Sequence, residues 1–419
     1  MRFVRCTMLA AVMVGLAWQA CWGAGFGIYE WSARGNALGG ALVGRADDPS
    51  AVAYNPAGIT QLEGLQMQLG ATFIGPMVDV DTGDKTTTSE KNWWIPPHFF
   101  ATYKVNDRYS LGLGVYSRYG LGTEFDSKWP GRYNAYEGVI KAVSVNPNLA
   151  ISLTDSFSVA LGVEAMYFDF LYKKKIPTGP IVGQDVGDIN AKLHADDVGF
   201  GFNLGLHYQP CQYAKVGLTY RSQVQLRMDG DADFDRPAAF DANPQLQPLF
   251  KNGNVSGEVT LPDSWSAGVA IYPLENLSLE LGAVYTRWSS YEDLTIKYDQ
   301  TPVPGMTSTT TKKDWKDVWR FNAGLEYKAL DWLDLRFGYI FDQSPIPDDT
   351  IDYLVPANDR HLFSFGPGFH FGNMDLDLSY TYLMIKERNI AGRPADGVLE
   401  GKSHNGYAHM LGVSVGYRF

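Results

Sequence analysis

Residues 404–419 constrain the fold more than any other stretch, because their side chains alternate between two kinds. The odd positions are mostly apolar or aromatic, and the even positions are mostly small or polar. The odd set comprises Tyr407, His409, Leu411, Val413, Val415, Tyr417 and Phe419, and the even set comprises Ala408, Met410, Gly412, Ser414, Gly416 and Arg418. A repeat of two places successive side chains on opposite faces of a β-strand. The end of the chain is therefore predicted to be a strand with one apolar face.

The same repeat recurs in residues 277–285, 315–327, 333–341 and 374–383. A strand of a soluble β-sandwich also alternates, so the repeat alone does not decide the fold class. Length favours a membrane barrel, because these stretches run for about ten residues, as a tilted strand needs to cross lipid. Strands of soluble proteins usually have only about five or six residues.

The connections between these stretches alternate between short and long. Residues 153–156 form a short connection, for example, and residues 229–254 form a long one. Short periplasmic turns and long outer loops are typical of outer-membrane barrels. Counting the stretches from near Gly64 to Phe419 predicts an all-β fold, a transmembrane antiparallel barrel of about 14 strands.

The beginning of the chain is predicted to have two parts that are not barrel strands. Residues 1–23 read as a secretory signal peptide, with Arg2 and Arg5 before an apolar run that is too short to span a bilayer. Residues 24–62 are interrupted by Gly and Pro and contain few large apolar side chains. Such a segment cannot form a core of its own, so we expect it to be a hatch, or plug, inside a barrel of residues 63–419.

Composition and motifs argue against several classes of function. A net charge of −11 argues against a nucleic-acid partner. The motifs of zinc hydrolases, serine hydrolases and redox dithiols are missing from the sequence, so we expect neither an enzyme nor a cofactor or metal site. Removal of the signal peptide would leave Cys211 alone, which excludes an intrachain disulfide.

Several short motifs, taken in order, give the chain a resemblance to a known family. They are Ala24-Gly25-Phe26, Asn55-Pro56-Ala57, Tyr119-Gly120-Leu121-Gly122-Thr123-Glu124-Phe125, Leu261-Pro262-Asp263-Ser264-Trp265, Trp315-Lys316-Asp317-Val318-Trp319-Arg320, Leu335-Arg336-Phe337-Gly338-Tyr339, Asp342-Gln343-Ser344-Pro345-Ile346-Pro347-Asp348 and Asn358-Asp359-Arg360. With them the mature chain resembles the FadL-type outer-membrane transporters of long-chain fatty acids and other hydrophobic compounds. The resemblance implies a monomeric 14-stranded barrel with an internal hatch and a kinked third strand.

The resemblance also implies a gate at that kink. By position, Gly120 and Gly122 form the kink, and Asn55, Pro56 and Ala57 are the hatch residues that face it. Glycine within a strand marks a bulge or a close approach. An interrupted ladder in lipid would leave backbone groups unpaired, so it must be covered from inside. An ordinary bulge with no role in transport is the alternative.

A fatty acid needs an apolar pocket and one or two cations for its carboxylate. The predicted ligand-binding residues are Lys316, Lys174, Arg360, Phe168, Phe170 and Tyr172. Lys316 has inward parity within residues 315–327, opposite to Trp315 and Trp319. Each cation could instead belong to a salt-bridge network of the lumen. Exposed apolar side chains of the outer loops, such as Trp129 and Phe240, could form a capture groove, or they could pack loop against loop.

The sequence therefore predicts passive uptake of hydrophobic molecules, long-chain fatty acids above all, with lateral exit through the kinked strand. A channel for aromatic hydrocarbons, a general porin and a barrel lipase are the alternatives. The expected setting is the Gram-negative outer membrane, and the expected state is a monomer. Besides the hydrophobic ligand, the expected partners are outer-membrane lipid, lipopolysaccharide and the barrel assembly machinery, which would recognise the terminal Phe419.

Overall fold

A computed structural model describes residues 25–83 and 85–419 of the chain. The predicted signal peptide, residues 1–23, and the first residue of the predicted hatch, Ala24, lie outside the described residues.

The described chain forms a closed antiparallel barrel of 14 strands, as predicted. The strands are β1 (Leu65–Thr82), β2 (Pro97–Lys104), β3 (Tyr109–Tyr116 and Gly120–Glu124), β4 (Glu137–Thr154), β5 (Phe157–Ile176), β6 (Ile189–Cys211), β7 (Ala214–Arg221 and Val224–Asp235), β8 (Gly253–Leu261 and Ser264–Leu274), β9 (Leu277–Thr286 and Asp293–Tyr298), β10 (Ser308–Lys312 and Val318–Leu330), β11 (Leu333–Asp342), β12 (Arg360–Phe371), β13 (Met374–Ile385 and Arg388–Ile390) and β14 (Gly401–Arg418). Each strand pairs with its neighbours in sequence. The cylinder closes where β1 pairs with β14, from Gln66 opposite Arg418 to Thr82 opposite Gly401.

The short remaining elements lie in the hatch and in the connections. The hatch contains the α-helices Ala33–Ala37 and Ala51–Tyr54 and the 3₁₀-helix Pro56–Gln61. The connections contain a strand Lys85–Thr88, α-helices Gly179–Val182 and Ala238–Asp241, and 3₁₀-helices Pro130–Tyr133, Trp288–Ser290 and Pro394–Asp396. Within the described part of the chain, no helix has both the length and the hydropathy to cross a bilayer.

The alternation of β14 places its apolar side chains on the outside of the barrel. Leu411 and Val415 are 48% and 43% exposed, whereas Ser414 between them is fully buried. An outward apolar face needs an apolar surrounding, because exposing it to water costs about 25 cal/mol per Å². The predicted parity of residues 404–419 and 374–383 is confirmed.

The strands extend further on the side of the long loops than the sequence suggested. β7 continues to Asp235 and β8 begins at Gly253, although residues 229–254 were predicted to be a loop. The extra residues alternate like the rest, as Met228 and Ala232 are buried and Asp229 and Asp231 are not. The barrel therefore rises above its apolar belt.

Residues 25–62 fill the lumen, which confirms the internal hatch. Ser32 caps the first hatch helix by accepting a hydrogen bond from Gly35 N at 3.0 Å. Asn55 caps the 3₁₀-helix in the same way, through Ala57 N at 3.2 Å. Gly58 lies directly against Ala46, where a Cβ atom would approach Ala46 Cβ to 2.2 Å. The small residues that made this segment look unstable on its own allow it to fold tightly inside the barrel.

Candidate functional site

The third strand is broken between Tyr116 and Gly120, and we call residues 117–119 the break. Below the break, β3 pairs with both β2 and β4. Above the break, among the described residues, Gly120–Glu124 pairs in the ladder with β4 only. The wall is therefore interrupted on one side of β3, as the resemblance implied.

The beginning of the hatch covers the break from inside. Ile28 N donates to Arg118 O at 2.8 Å, and Gly120 N donates to Phe26 O at 2.9 Å, so that Gly27 lies opposite Tyr119 as in a strand pair. We call residues 25–28 the strap. It supplies backbone partners that the interrupted wall lacks, and an unpaired backbone group in lipid would cost several kcal/mol.

Of the two predicted kink residues, Gly120 meets the strap. A Cβ atom on Gly120 would lie 2.4 Å from Ile28 Cδ1, and one on Gly122 would lie 1.8 Å from Cε2 of Trp94 in the β1–β2 connection. Both glycines therefore admit a neighbouring side chain into the gap, which is the close approach that strand glycines permit.

Asn55, Pro56 and Ala57 lie elsewhere, so the expectation that they face the kink is wrong. Asn55 Nδ2 donates to Leu206 O at 3.0 Å, and Ala57 O accepts from Ser158 Oγ at 2.8 Å. This turn is therefore anchored to β5 and β6. The turn meets the lower segments of β5 and β6, because it lies near the end of the hatch, just before β1 begins.

A cavity of about 400 Å³ runs from the strap to the gap in the wall. Phe26 and Gly120 line its inner part. Its outer part reaches Ile95 and Val143, whose side chains are 51% and 36% exposed on the lipid-facing surface. The cavity therefore connects the lumen with the side of the barrel.

A second, smaller cavity of about 50 Å³ lies behind the first, and none of the described residues that line it is charged. The predicted ligand residues Phe168 and Phe170 form part of its wall, together with Met228. Phe26 and Ile140 line both cavities, so they form the partition between them.

Phe26 is held in the partition by aromatic side chains. Its ring centroid lies 4.8 Å from that of Trp288, 5.5 Å from that of Trp315 and 5.9 Å from that of Tyr119. Such edge-to-face and tilted contacts contribute about 0.5–1.5 kcal/mol each beyond the buried area. Displacement of Phe26 would join the two cavities.

Tyr172 and Lys174 lie at the upper end of β5, beyond Phe168 and Phe170. The Tyr172 hydroxyl donates to Asn134 O in the loop above. Lys174 is half-buried. The structure therefore places Tyr172 in contact with an outer loop, while Phe168 and Phe170 line the apolar cavity.

Arg360 is the predicted cation that lines the larger cavity. One terminal nitrogen lies 2.5 Å from Asp342 Oδ2, while Nε is buried and has no hydrogen-bond partner within residues 25–83 and 85–419. Asp342 is shared with Arg320 at 3.2 Å, and Arg320 also lies 3.6 Å from Glu30 of the hatch. The buried Nε of Arg360 is therefore a donor that could serve an acceptor bound in the cavity.

Lys316 does not point into the lumen, so its predicted inward orientation is wrong. β10 is interrupted between Lys312 and Val318, and the alternation does not continue through the interruption. Lys316 is exposed, whereas Trp315, predicted to face outward, is buried beside Phe26.

The buried cation in this part of the chain is Lys313, which is 3% exposed as a side chain and lies 2.5 Å from Asp352. Burial opposes its charged form, but the Asp352 carboxylate and Tyr291 together raise the pKa of Lys313 above its usual value. The pair therefore ties the interruption of β10 to the loop after β11.

The outer loops pack against one another. Trp129 and Phe240, which could have formed an exposed capture groove, are 1% and 0% exposed. Trp129 stacks on Phe125 of its own loop at 4.2 Å and meets Tyr353 of the loop after β11 at 4.7 Å between ring centroids, and Phe240 contacts Phe250 of its own loop. These side chains therefore pack within and between the loops and do not form an exposed capture groove.

The lower end of the lumen is charged. Arg34 of the hatch lies 3.0 Å from Glu326 and 2.8 Å from Asp47, and Arg45 lies 3.6 Å from Glu280. These groups adjoin a polar cavity of about 840 Å³ near the short turns, which Arg34, Asp47 and Glu326 help to line. The hatch is thus fixed at this end by ion pairs and at the other by the strap.

The strap, Trp94 and the ionic network of the lower lumen were not among the features predicted from the sequence. The pair Trp93-Trp94 followed by Pro96-Pro97 was a usable signal, because proline cannot extend a ladder. Glu326 had inward parity within a predicted strand, but parity does not name its partners.

Comparisons with known proteins are consistent with this architecture over nearly the whole chain. Residues 13–419 match the sequence pattern of the family described as outer membrane protein transport protein (OMPP1/FadL/TodX). A long-chain fatty acid transport protein of Salmonella typhi is 28% identical over 436 residues, which cover 98% of this chain and 97% of that protein. The protein of the same name from Escherichia coli K12 is 28% identical over 447 residues, with the same coverage of both chains.

Solved structures share the fold at lower identity. The crystal structure of a Pseudomonas aeruginosa FadL homologue has a TM-score of 0.83 at 20% identity and covers 94% of this chain and 99% of that chain. The Pseudomonas putida toluene transporter TodX has a TM-score of 0.71 at 16% identity and covers 94% of this chain and 99% of that chain.

Proposed function

Since the chain belongs to the outer membrane protein transport family (OMPP1/FadL/TodX), a family of transporters rather than enzymes, we propose that it is a passive channel for hydrophobic molecules with a lateral exit. The chain is a β-barrel of the outer membrane. In the proposed route, cargo enters from the outer side, occupies the apolar cavity beside Phe168 and Phe170, and leaves through the gap next to β3. The strap is the proposed gate, because it occupies the position between the two cavities.

The observation that supports this route best is the 400 Å³ cavity that reaches from Phe26 to the lipid-facing side chains Ile95 and Val143. A porin for hydrophilic solutes has no need of a passage to lipid. An apolar molecule, in contrast, gains free energy on reaching the bilayer, by about 0.8 kcal/mol for each CH₂ group. Transport by this route needs no energy source.

The charged lower lumen supports a lateral exit over a periplasmic one. An apolar chain that left downward would have to displace water and ion pairs around Arg34 and Glu326. Separating one partner of a buried pair costs about 3–5 kcal/mol. The lateral route avoids that cost.

Long-chain fatty acids are the proposed cargo, because the larger cavity combines many apolar side chains with Arg360, although Lys141 and the carboxylates of Glu30, Glu90 and Glu124 also line it. Its unpartnered Nε can donate to a carboxylate, and hydrogen bonds to charged groups are worth about 1.5–3 kcal/mol. Two relatives with this chain's full length carry the name long-chain fatty acid transport protein. The proposed ligand contacts are Arg360, Phe168 and Phe170.

Aromatic hydrocarbons are the second candidate cargo. The smaller cavity has no charged residue in its lining, as a neutral ring would require. A structural neighbour is named a toluene transporter. The two candidates differ in whether Arg360 takes part.

Mass spectrometry of the purified barrel tests the proposal. Acyl chains released from protein that was washed in an acyl-free detergent would support fatty acids, and aromatic compounds would support the second candidate. A protein that contains neither, and that conducts small sugars across planar bilayers, would contradict the proposal in favour of a general porin.

A further inference from the structure

The gap next to β3 is closed twice, and the second closure belongs to the barrel wall. On the hatch side, Ile28 lies against Gly120. On the wall side, the indole of Trp94 lies against Gly122 so closely that a Cβ atom there would be 1.8 Å from it. Only a glycine at position 122 therefore leaves room for the indole of Trp94.

The backbone holds Trp94 in this position. Trp94 N and O form hydrogen bonds with Ile74 O and N of β1, at 2.9 and 2.8 Å. The next residues, Pro96 and Pro97, have no N–H, so β2 cannot continue its ladder beside the upper segment of β3. The connection crosses the gap instead, and its other end is fixed where Glu90 N donates to Glu124 O at 2.8 Å.

Two adjacent tryptophans in this connection face opposite sides. Trp93 is 55% exposed on the outside of the barrel, whereas Trp94 lines the cavity. The indole Nε1 of Trp94 is buried and has no hydrogen-bond partner in the part of the chain that the structure describes. A buried donor without a partner is costly, and in a native structure it calls for an explanation.

Trp94 and Arg360 thus both line one cavity, and each carries a buried donor that has no hydrogen-bond partner among the described residues. Neither is needed for an alkane. Both suit a cargo that carries an oxygen-bearing head group on an apolar chain.

We propose that Trp94 is a wall-side latch of the lateral opening and a hydrogen-bond donor to the head group of an amphipathic cargo. The inference rests on the proposed function. It adds that movement of the strap alone does not open the gap, because the indole on Gly122 must also move. In this proposal Trp94, a residue of the barrel wall, also contributes to the selection of acids over hydrocarbons.

Two substitutions of Trp94 test the inference. The same substitutions of the neighbouring Trp93, which faces lipid, are their controls. Uptake of dodecanoic acid and of dodecane is measured in cells with equal amounts of folded barrel, judged by heat-modifiable gel migration. Trp94→Phe keeps an aromatic ring and removes the donor, so acid uptake at limiting concentration should fall about tenfold while dodecane uptake stays within about twofold. Trp93→Phe should change neither rate.

Trp94→Ala removes the latch itself, so dodecane uptake should rise at least about threefold, and Trp93→Ala should leave it unchanged. Equal behaviour of the Trp94 and Trp93 variants, with normal uptake by the unmodified protein, would overturn the latch and leave the proposed function standing. Failure of the unmodified protein to take up either compound would overturn both.

Discussion

Replacement of Glu326 by Gln should release the hatch at its lower end without disturbing the barrel. Glu326 accepts from Arg34 of the hatch at 3.0 Å and from Arg336 of β11 at 2.7 Å, and Arg45 of the hatch lies 3.6 Å away. All four side chains are at most 12% exposed. The substitution keeps the shape of the side chain and removes the charge that two hatch arginines share.

The size of the effect follows from what the arginines retain. Removing one partner of a buried ion pair costs about 3–5 kcal/mol. Arg34 keeps Asp47 at 2.8 Å and Asp48 at 2.9 Å, so the lower end of that range applies. About 3 kcal/mol corresponds to a roughly hundredfold larger population with the hatch detached. The strand ladder of β10 and β11 does not use the carboxylate, so the barrel should remain intact.

Native-state proteolysis measures this population. When opening is fast, the rate of cleavage follows the fraction of open molecules, so the hatch of Glu326→Gln should be cut about a hundredfold faster at low protease concentration. Ion conductance in planar bilayers should rise in parallel. Glu275→Gln, on an exposed turn at the same end of the barrel, is the matched control. Cleavage of Glu326→Gln at the rate of the unmodified protein would refute the ionic attachment of the hatch.

Three further substitutions test the site. Gly120→Leu should lower uptake of hydrophobic cargo at least about threefold with unchanged barrel abundance, since the leucine side chain would occupy the space of Ile28. Unchanged uptake would discard the gate. Arg360→Gln should weaken binding of a fatty acid about tenfold or more and that of a neutral hydrocarbon little, as judged by titration of purified protein, and equal loss for both would remove Arg360 from the head-group site. The exposed Lys316→Ala is its control and should change neither affinity. Asn55→Leu leaves Val43 O and Leu206 O without their donor, so the hatch should become more sensitive to protease, with about 1–3 kcal/mol lost, and full protease resistance would contradict this.

The strand pattern could be predicted from the sequence because the bilayer imposes it. An outward side chain of β14 must tolerate lipid and an inward one must tolerate the hatch, so the repeat of two stays legible from Tyr407 to Tyr417. The same rule failed at Lys316 because this residue lies within the interruption of β10. Each interruption resets the parity, and nothing in the local composition marks where that happens.

The site was less predictable, because its contacts join residues that lie far apart in the chain. Gly27 meets Tyr119, and Arg34 meets Glu326, through the closure of the barrel around the hatch. The resemblance placed the kink at Gly120 and Gly122, directly above the break, but assigned to it hatch residues that lie elsewhere. The strap has no sequence signature of its own, since a short run of Gly and apolar residues fits many positions.

A reversible disulfide between the strap and the break tests the lateral route most directly. Gly27 and Tyr119 lie opposite each other without hydrogen bonds between them, a pairing with Cα atoms about 4.5 Å apart that suits a disulfide. The variant Gly27→Cys/Tyr119→Cys is made in a Cys211→Ser background, and fatty-acid uptake is measured before and after a reductant is added. The account predicts that uptake is lost in the oxidised protein and returns on reduction. Uptake by the oxidised protein at the rate of the reduced one would contradict it.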